Sequence, residues 1–264
     1  MGYTDRQQRE IEYHKGHAAL HADCKFTPVE MTVVTANDRK WWNATWAVFS
    51  ILRDLDLNDK QALIPGCGFG DDVARLVKFG AKVSAFDISP EVIQVAKARA
   101  ATFGYEADFA VMPAEALVYP DSSFDLILCR NILHHVEIPE ALREFKRVLK
   151  PGGYLIGQEM YTYGVIERIR RGSGFINRTL YPRMVNFIYG GRPPYITEDE
   201  RKIDHHELKL LTELGCQVSY YDFLIGRILP ARFVMAAKID RALLFLLGPL
   251  GRLLAGRIVF SGRV

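Results

Sequence analysis

Ala62-Leu63-Ile64-Pro65-Gly66-Cys67-Gly68-Phe69-Gly70-Asp71-Asp72 runs from an apolar stretch into three glycines spaced G-x-G-x-G, then into an amphipathic pattern reaching Lys78. The apolar run predicts a buried strand, and Gly80 stops the helix that follows. A second strand, Lys82 to Phe86, ends on an acid, Asp87. This is the order of a βαβ nucleotide-binding unit. Its glycines let the backbone approach a ligand, and its strand-end carboxylate accepts from ribose hydroxyls.

The same turn discriminates between ligands. A pyrophosphate sits well at a helix N-terminus, where free N–H groups and the dipole favour negative charge. Asp71 and Asp72 occupy that first turn. Two carboxylates there disfavour a pyrophosphate and suit a ligand carrying a sulfonium and an ammonium, as S-adenosylmethionine does. The spacing also departs from the G-x-G-x-x-G of hydride-transfer enzymes.

Outward from the turn, strand and helix patterns alternate. Ser89-Pro90-Glu91 predicts a capped helix start and Gly104 its end. Further strands are expected from Ala107 to Val111, Phe124 to Arg130, Tyr154 to Gln158, Gln217 to Phe223 and Arg257 to Gly262. A helix from Pro139 carries Leu142, Phe145, Val148 and Leu149 on one stripe. Such alternation predicts an α/β fold, a parallel sheet wound on both faces. Residues 1–58 read as a helical lid, with helices from Asp5 to Ala22 and from Arg39 to Leu55. Trp41, Trp42 and Trp46 on the second read as packing against the sheet. Residues 160–196, rich in tyrosine and arginine, read as a cap insertion. Thr197-Glu198-Asp199-Glu200 reads as a capping box for a helix to Leu214, and 228–256 as an apolar helical insertion.

Taken in chain order, the motifs resemble those of class I S-adenosylmethionine-dependent methyltransferases, above all the type 11 small-molecule group. The matching residues are Gly66 to Gly70, Asp87, Ala114-Glu115-Ala116-Leu117 with Pro120 to Asp125, Leu133-His134-His135, and Val148 to Gly153. They cover about residues 60–160. The resemblance implies a Rossmann-like, seven-stranded, mostly parallel sheet with an antiparallel last strand, and a methyltransferase domain over 59–264. It implies the methionine part of S-adenosylmethionine over Gly66, Cys67, Gly68 and Gly70, and the ribose diol on Asp87. Adenine is then expected between Ile88 and the loop of Ala114 and Glu115, with Arg130 also against the cofactor. Where the family often carries Gly-Asp before Ala-Glu, this chain has Met112-Pro113. Backbone near Ala114 must substitute for that acid.

Composition narrows the classes further. Over 264 residues the net charge is +3, with no basic run of the kind that tracks a phosphate backbone, so a nucleic-acid partner is not expected. Asn131-Ile132-Leu133-His134 also lacks the Asn/Asp-Pro-Pro-aromatic motif of base methylation. Cys24, Cys67, Cys129 and Cys216 form no C-x-x-C pair, which predicts reduced thiols and no metal site. The polar N-terminus lacks a secretory pattern, so a cytoplasmic location is expected. Nothing in the sequence sets an oligomeric state.

Ligands of open α/β sheets sit at the carboxyl ends of the strands, so Arg130 to His135 should face the transferred group. Methyl transfer is an in-line displacement that needs positioning and exclusion of water. His134 or His135 is placed to act as general base, or else to hydrogen-bond loop backbone. Glu159 either orients an acceptor or pairs with a cap arginine. Tyr13, His14, Asn131 and Tyr161 are expected toward the substrate. The apolar run Ala242 to Gly256, broken by Gly248-Pro249 and carrying Arg252, does not read as a membrane span. Three readings stand: a lid over a hydrophobic acceptor, a helical hairpin on the sheet edge, or peripheral membrane contact through 231–256. In the last, Arg232, Lys238, Arg241 and Arg252 face lipid headgroups. The expected function is methyl transfer to a small, hydrophobic acceptor such as a lipid, isoprenoid or polyketide-like molecule. The alternative is a non-catalytic binding or scaffolding protein on the same fold.

Overall fold

A computed structural model describes residues 2–19, 26–39, 43–161, 172–173, 178–179, 182–183, 202–222 and 234–264. Its strands are β1 (Gln61–Pro65), β2 (Lys82–Asp87), β3 (Asp108–Val111), β4 (Phe124–Arg130), β5 (Leu149–Met160), β6 (Gln217–Tyr221) and β7 (Arg257–Arg263). They form one sheet in the order β3-β2-β1-β4-β5-β7-β6, with β7 antiparallel to both neighbours. The seven-stranded α/β expectation therefore holds, down to the returning last strand.

Alternation along the strands puts core on both faces. Leu63, Ile127 and Cys129 join the cluster built with Ala141, Leu142 and Phe145, whereas Ala62, Ile64, Leu126 and Leu128 join the cluster of Val48, Phe49, Val73 and Leu76. Adjacent residues of a strand point to opposite faces, so a sheet covered on both sides shows as an unbroken apolar run. The covering helices include α1 (Asp5–Ala19), α2 (Ala44–Arg53), α3 (Asp71–Lys78), α4 (Pro90–Phe103) and α5 (Ile138–Val148).

Caps set the helix limits. Ser89 Oγ accepts from Val92 N at 3.3 Å, Pro90 opens α4, and Gly104 at φ +67° ends it. Helix α2 starts at Ala44 rather than Arg39, because Asn43 Oδ1 accepts from Trp46 N at 2.9 Å. Trp46 is buried as expected, while Trp41 and Trp42 lie outside the described residues. So do Thr197 to Glu200 and most of the expected cap. The helix expected from there to Leu214 is shorter: residues 202–206 are not helical, and α6 covers Glu207–Glu213. Asp204 Oδ1 accepts from the N–H groups of His206 and Glu207, and Glu207 Oε2 accepts from Asp204 N. That reciprocal pair is the capping box.

After β6, helix α7 (Val234–Leu246), a tight turn at Gly248–Leu250 and a short helical turn Gly251–Leu254 lead into β7. Arg241 fastens α7 to the sheet edge, donating to Tyr220 O at 2.7 Å and lying 4.4 Å from the Tyr221 ring centroid. Among the described residues no helix is long and apolar enough to cross a membrane. Cys67, Cys129 and Cys216 are free and buried, and burial raises all three thiols, Cys216 to about 11. Cys24 lies outside the described residues.

Candidate active site

Strand order reverses between β1 and β4, and the chain leaves both strands at the same end of the sheet. A cavity of about 450 Å³ opens there. Gly66, Gly68 and Gly70 turn the chain at φ of +59°, +52° and +85°. A Cβ on Gly68 would meet no atom within 4 Å, so bare backbone forms the wall and a side chain would fill ligand space. Asp87, ending β2, accepts from Gly68 N through Oδ2 and from Ser89 N through Oδ1, both at 3.1 Å. A carboxylate has about four acceptor sites, so capacity for a ligand hydroxyl remains. Burial raises the Asp87 carboxyl from 3.8, against the pull of His14 and the N–H groups of Ser89, Gly68 and Ile88.

Both acids behind the turn are held in ion pairs, and Asp71 also lines the cavity. Asp71 pairs with Arg99 at 2.8 Å. Asp72 accepts from Arg130 Nη1 at 2.6 and 2.7 Å and from Arg75 Nη1 at 2.8 Å. Both acids are neutralised by arginines, and Asp72 does not line the cavity. The charge reasoning from sequence is corrected for Asp72, which anchors α3 to β4; Asp71 ties α3 to α4 and stays on the cavity wall. Burial lowers the Arg130 pKa, opposed by Asp72, and its Nε has no hydrogen-bond partner among the described residues.

Beyond β4 the chain turns at Asn131, φ +55°, whose Oδ1 accepts from Arg257 Nη1 at 2.9 Å. Beneath this turn lies the fully buried Glu159. Its Oε1 accepts from Ile132 N at 2.6 Å and Leu133 N at 2.7 Å, and its Oε2 is 2.6 Å from His134 Nδ1. One carboxylate thus holds the loop from below and leaves the neighbouring His135 on the cavity wall.

Helix α1 forms the opposite wall with Arg6, Gln7, Glu10, His14 and His17. Glu115 holds its start, accepting from Arg6 Nη2 at 2.7 Å, Gln7 Nε2 at 3.2 Å and Glu137 N at 3.0 Å. His17 stacks on Phe69, with ring centroids 5.1 Å apart. Glu10 is 4% exposed, and its Oε2 lies 3.5 Å from His14 Nε2 and 3.3 Å from His135 Nδ1. An acid from the helix therefore meets an imidazole from the sheet across the cavity.

A family model described as "Methyltransferase domain" matches residues 63–157. Residues 63–157 are thus similar to a methyltransferase domain. The chain is 32% identical over 147 residues to a "Ubiquinone biosynthesis O-methyltransferase" of Xanthomonas oryzae pv. oryzae (strain PXO99A). That match covers 51% of this chain and 62% of the relative, so the chain spans about three fifths of that curated relative's length. Among solved structures it is similar to magnesium protoporphyrin IX methyltransferase of Synechocystis PCC 6803, solved with bound SAH. The TM-score is 0.57 at 14% identity, over 98% of this chain and 100% of that one. It is also similar to the [4+2]-cyclase SpnF, TM-score 0.55 at 18% identity, over 100% and 98%. At such identities these two establish the methyltransferase fold, and the cyclase shows that the fold alone does not fix the chemistry.

The cavity fits S-adenosylmethionine. Gly68 leaves room against bare backbone, Asp87 offers spare acceptors, and Phe86, Ile88, Val92, Met112 and Ala114 supply an apolar slot. The volume lies within the range of small-molecule sites, roughly 300–1,000 Å³. Met112 stands where the family often has glycine, as buried apolar wall.

Of the residues singled out by sequence, Gly66, Gly68, Asp87, Ile88, Ala114, Glu115, Arg130, Asn131, His14 and His135 line the cavity of this domain. Gly70 caps α3 instead, and Cys67 is buried with Sγ 3.6 Å from Gly68 O. Three placements are corrected. Glu159 and His134 lie under the loop, not in the cavity, and Glu159 pairs with neither acceptor space nor a cap arginine among the described residues. Tyr161 is 1% exposed, edge-on to Tyr220 in the core, because β5 carries it past the cavity. Tyr13 also stands off the wall. Arg6, Gln7 and Glu10 were missed by sequence, although their steps of three and four residues with His14 and His17 mark one helix face.

Proposed function

We propose that this protein transfers a methyl group from S-adenosylmethionine to a small, hydrophobic acceptor by in-line displacement. One observation carries the reading: a single cavity is walled by the cofactor cradle of Gly68, Asp87 and Ala114 and by His135 facing Glu10. When bound, S-adenosylmethionine supplies a methyl group on a sulfonium, which is electrophilic without further activation. Asp87 would accept from the ribose hydroxyls, and Ile88, Met112 and Ala114 would hold the adenine. His135 takes the acceptor's proton as the new bond forms, and Glu10 stabilises the resulting imidazolium. Helix α1, in a lid over residues 1–58, excludes water from a domain spanning 59–264 and holds the reactants close. The similarity to an O-methyltransferase of Xanthomonas supports oxygen as the accepting atom.

Calorimetry with S-adenosylmethionine and mass spectrometry of cell extracts incubated with methyl-labelled cofactor test this. The parent protein should bind cofactor and label a small metabolite. Asp87→Ala should lose binding, while His135→Ala should keep binding and lose transfer. Absence of cofactor binding by the parent overturns the reading. Undiminished transfer by His135→Ala removes the histidine from it.

A further inference from the structure

Helix α7 is amphipathic in reverse. Its inner side carries Ala237, Asp240 and Leu244, all buried, and the Arg241 contact to Tyr220. Its outer side carries Met235, Ile239, Phe245 and Leu246, which are 67%, 51%, 85% and 77% exposed. The helical period places Met235, Ile239 and Leu246 on one stripe with Phe245 beside it. Leu250, past the turn, extends the same exposure. Scattered exposed apolar residues are ordinary, but a contiguous run of the largest ones marks an interaction surface.

The charges around it choose the partner. Asp240 is the single acid between Val234 and Val264, and it is turned inward, 4% exposed. Lys238 is exposed at the helical position beside the apolar stripe, and Arg252, also exposed, lies 5.9 Å from the Tyr220 ring centroid past the turn. The face thus offers an apolar centre with a cationic rim. A second copy docked by two-fold symmetry would set Lys238 and Arg252 against their own counterparts, since such contacts pair a patch with itself. An anionic lipid surface meets both parts of the pattern. Helix α7 has 13 residues. At about 1.5 Å per residue it is too short for a hydrocarbon core of roughly 30 Å, so it lies along a bilayer rather than through it.

We infer that this face docks on an anionic membrane, with α7 in the interfacial plane. Phe245 and Leu246 enter the acyl boundary, and Lys238 and Arg252 sit at the level of the lipid phosphates. The inference is independent of the methyl-transfer reading. The full chain is sedimented with vesicles of phosphatidylcholine alone and of phosphatidylcholine mixed with phosphatidylglycerol. Binding is expected to the mixed vesicles and to weaken with salt. Phe245→Ser with Leu246→Ser should lower partitioning roughly a hundredfold, from the loss of two buried apolar side chains. Its unfolding midpoint should stay unchanged, because both side chains are exposed. Lys238→Glu should lower partitioning roughly fivefold or more on mixed vesicles only. No sedimentation of the parent, or equal partitioning of the serine variant, overturns the inference. So does a concentration-dependent dimer that the serine variant abolishes, which assigns the face to a second copy.

Discussion

Replacing Glu159 with alanine separates two roles that the sequence left open. The buried carboxylate accepts from Ile132 N and Leu133 N and contacts His134 Nδ1. Alanine leaves two backbone N–H groups buried without acceptors, at about 1–3 kcal/mol each. The expected loss is therefore about 2–6 kcal/mol, a large share of a typical stability of about 5–15 kcal/mol. Glu159→Gln keeps an acceptor oxygen for the two N–H groups, and should lose less than half as much. Urea unfolding followed by circular dichroism measures both, with the midpoint falling at an unchanged slope. Calorimetry with S-adenosylmethionine on the folded fraction should show weaker binding by Glu159→Ala, since the loop it supports carries Asn131, Ile132 and His135 of the cavity wall. A stability within about 0.5 kcal/mol of the parent, the usual span of substitutions away from structural features, would refute the reasoning. Such a result with transfer lost would return Glu159 to a role on the acceptor.

Two further outcomes are expected. Gly68→Ala should fold, since its Cβ meets no atom within 4 Å, at a cost of about 1–2 kcal/mol for an alanine at φ +52°. Its methyl stands in the cavity, so S-adenosylmethionine affinity by calorimetry should fall roughly tenfold or more; unchanged affinity would take the ligand off this wall. The Asp87 carboxyl is raised above 3.8, so the folded protein holds that proton to higher pH than the unfolded chain. Ionised Asp87 then costs stability, a cost that sets in as pH rises from 3.8 through the folded value. The ligand-free stability of the parent, read as melting temperature, should therefore fall as pH rises through the folded value, and Asp87→Asn should flatten that fall while weakening cofactor binding. An equal pH dependence in parent and variant over that window would contradict the sign.

The glycine turn, the strand-end Asp87, the caps at Ser89 and Gly104 and the alternating core residues of β1 and β4 were all legible in the sequence. Each rests on local geometry: a positive φ, a side chain reaching its own helix end, or a period of two along a strand. Those signals fixed the sheet, the position of β7 and the cradle for a nucleotide. What the acids do was not legible. Asp72 meets Arg130 across 58 residues, and Arg6 meets Glu115 across 109. Glu159 is spent on Ile132 and Leu133, from a strand whose composition alone pointed it toward the cleft. Periodicity says which face a residue occupies; it does not say which distant group stands opposite. Only the folded sheet brings α1 over β4, sets Glu10 3.3 Å from His135, and turns the apolar side of α7 outward. The sequence determined the cradle, because backbone conformation is a local property. The tertiary structure decided the chemistry facing it, because burial and charge pairing depend on what the chain packs against.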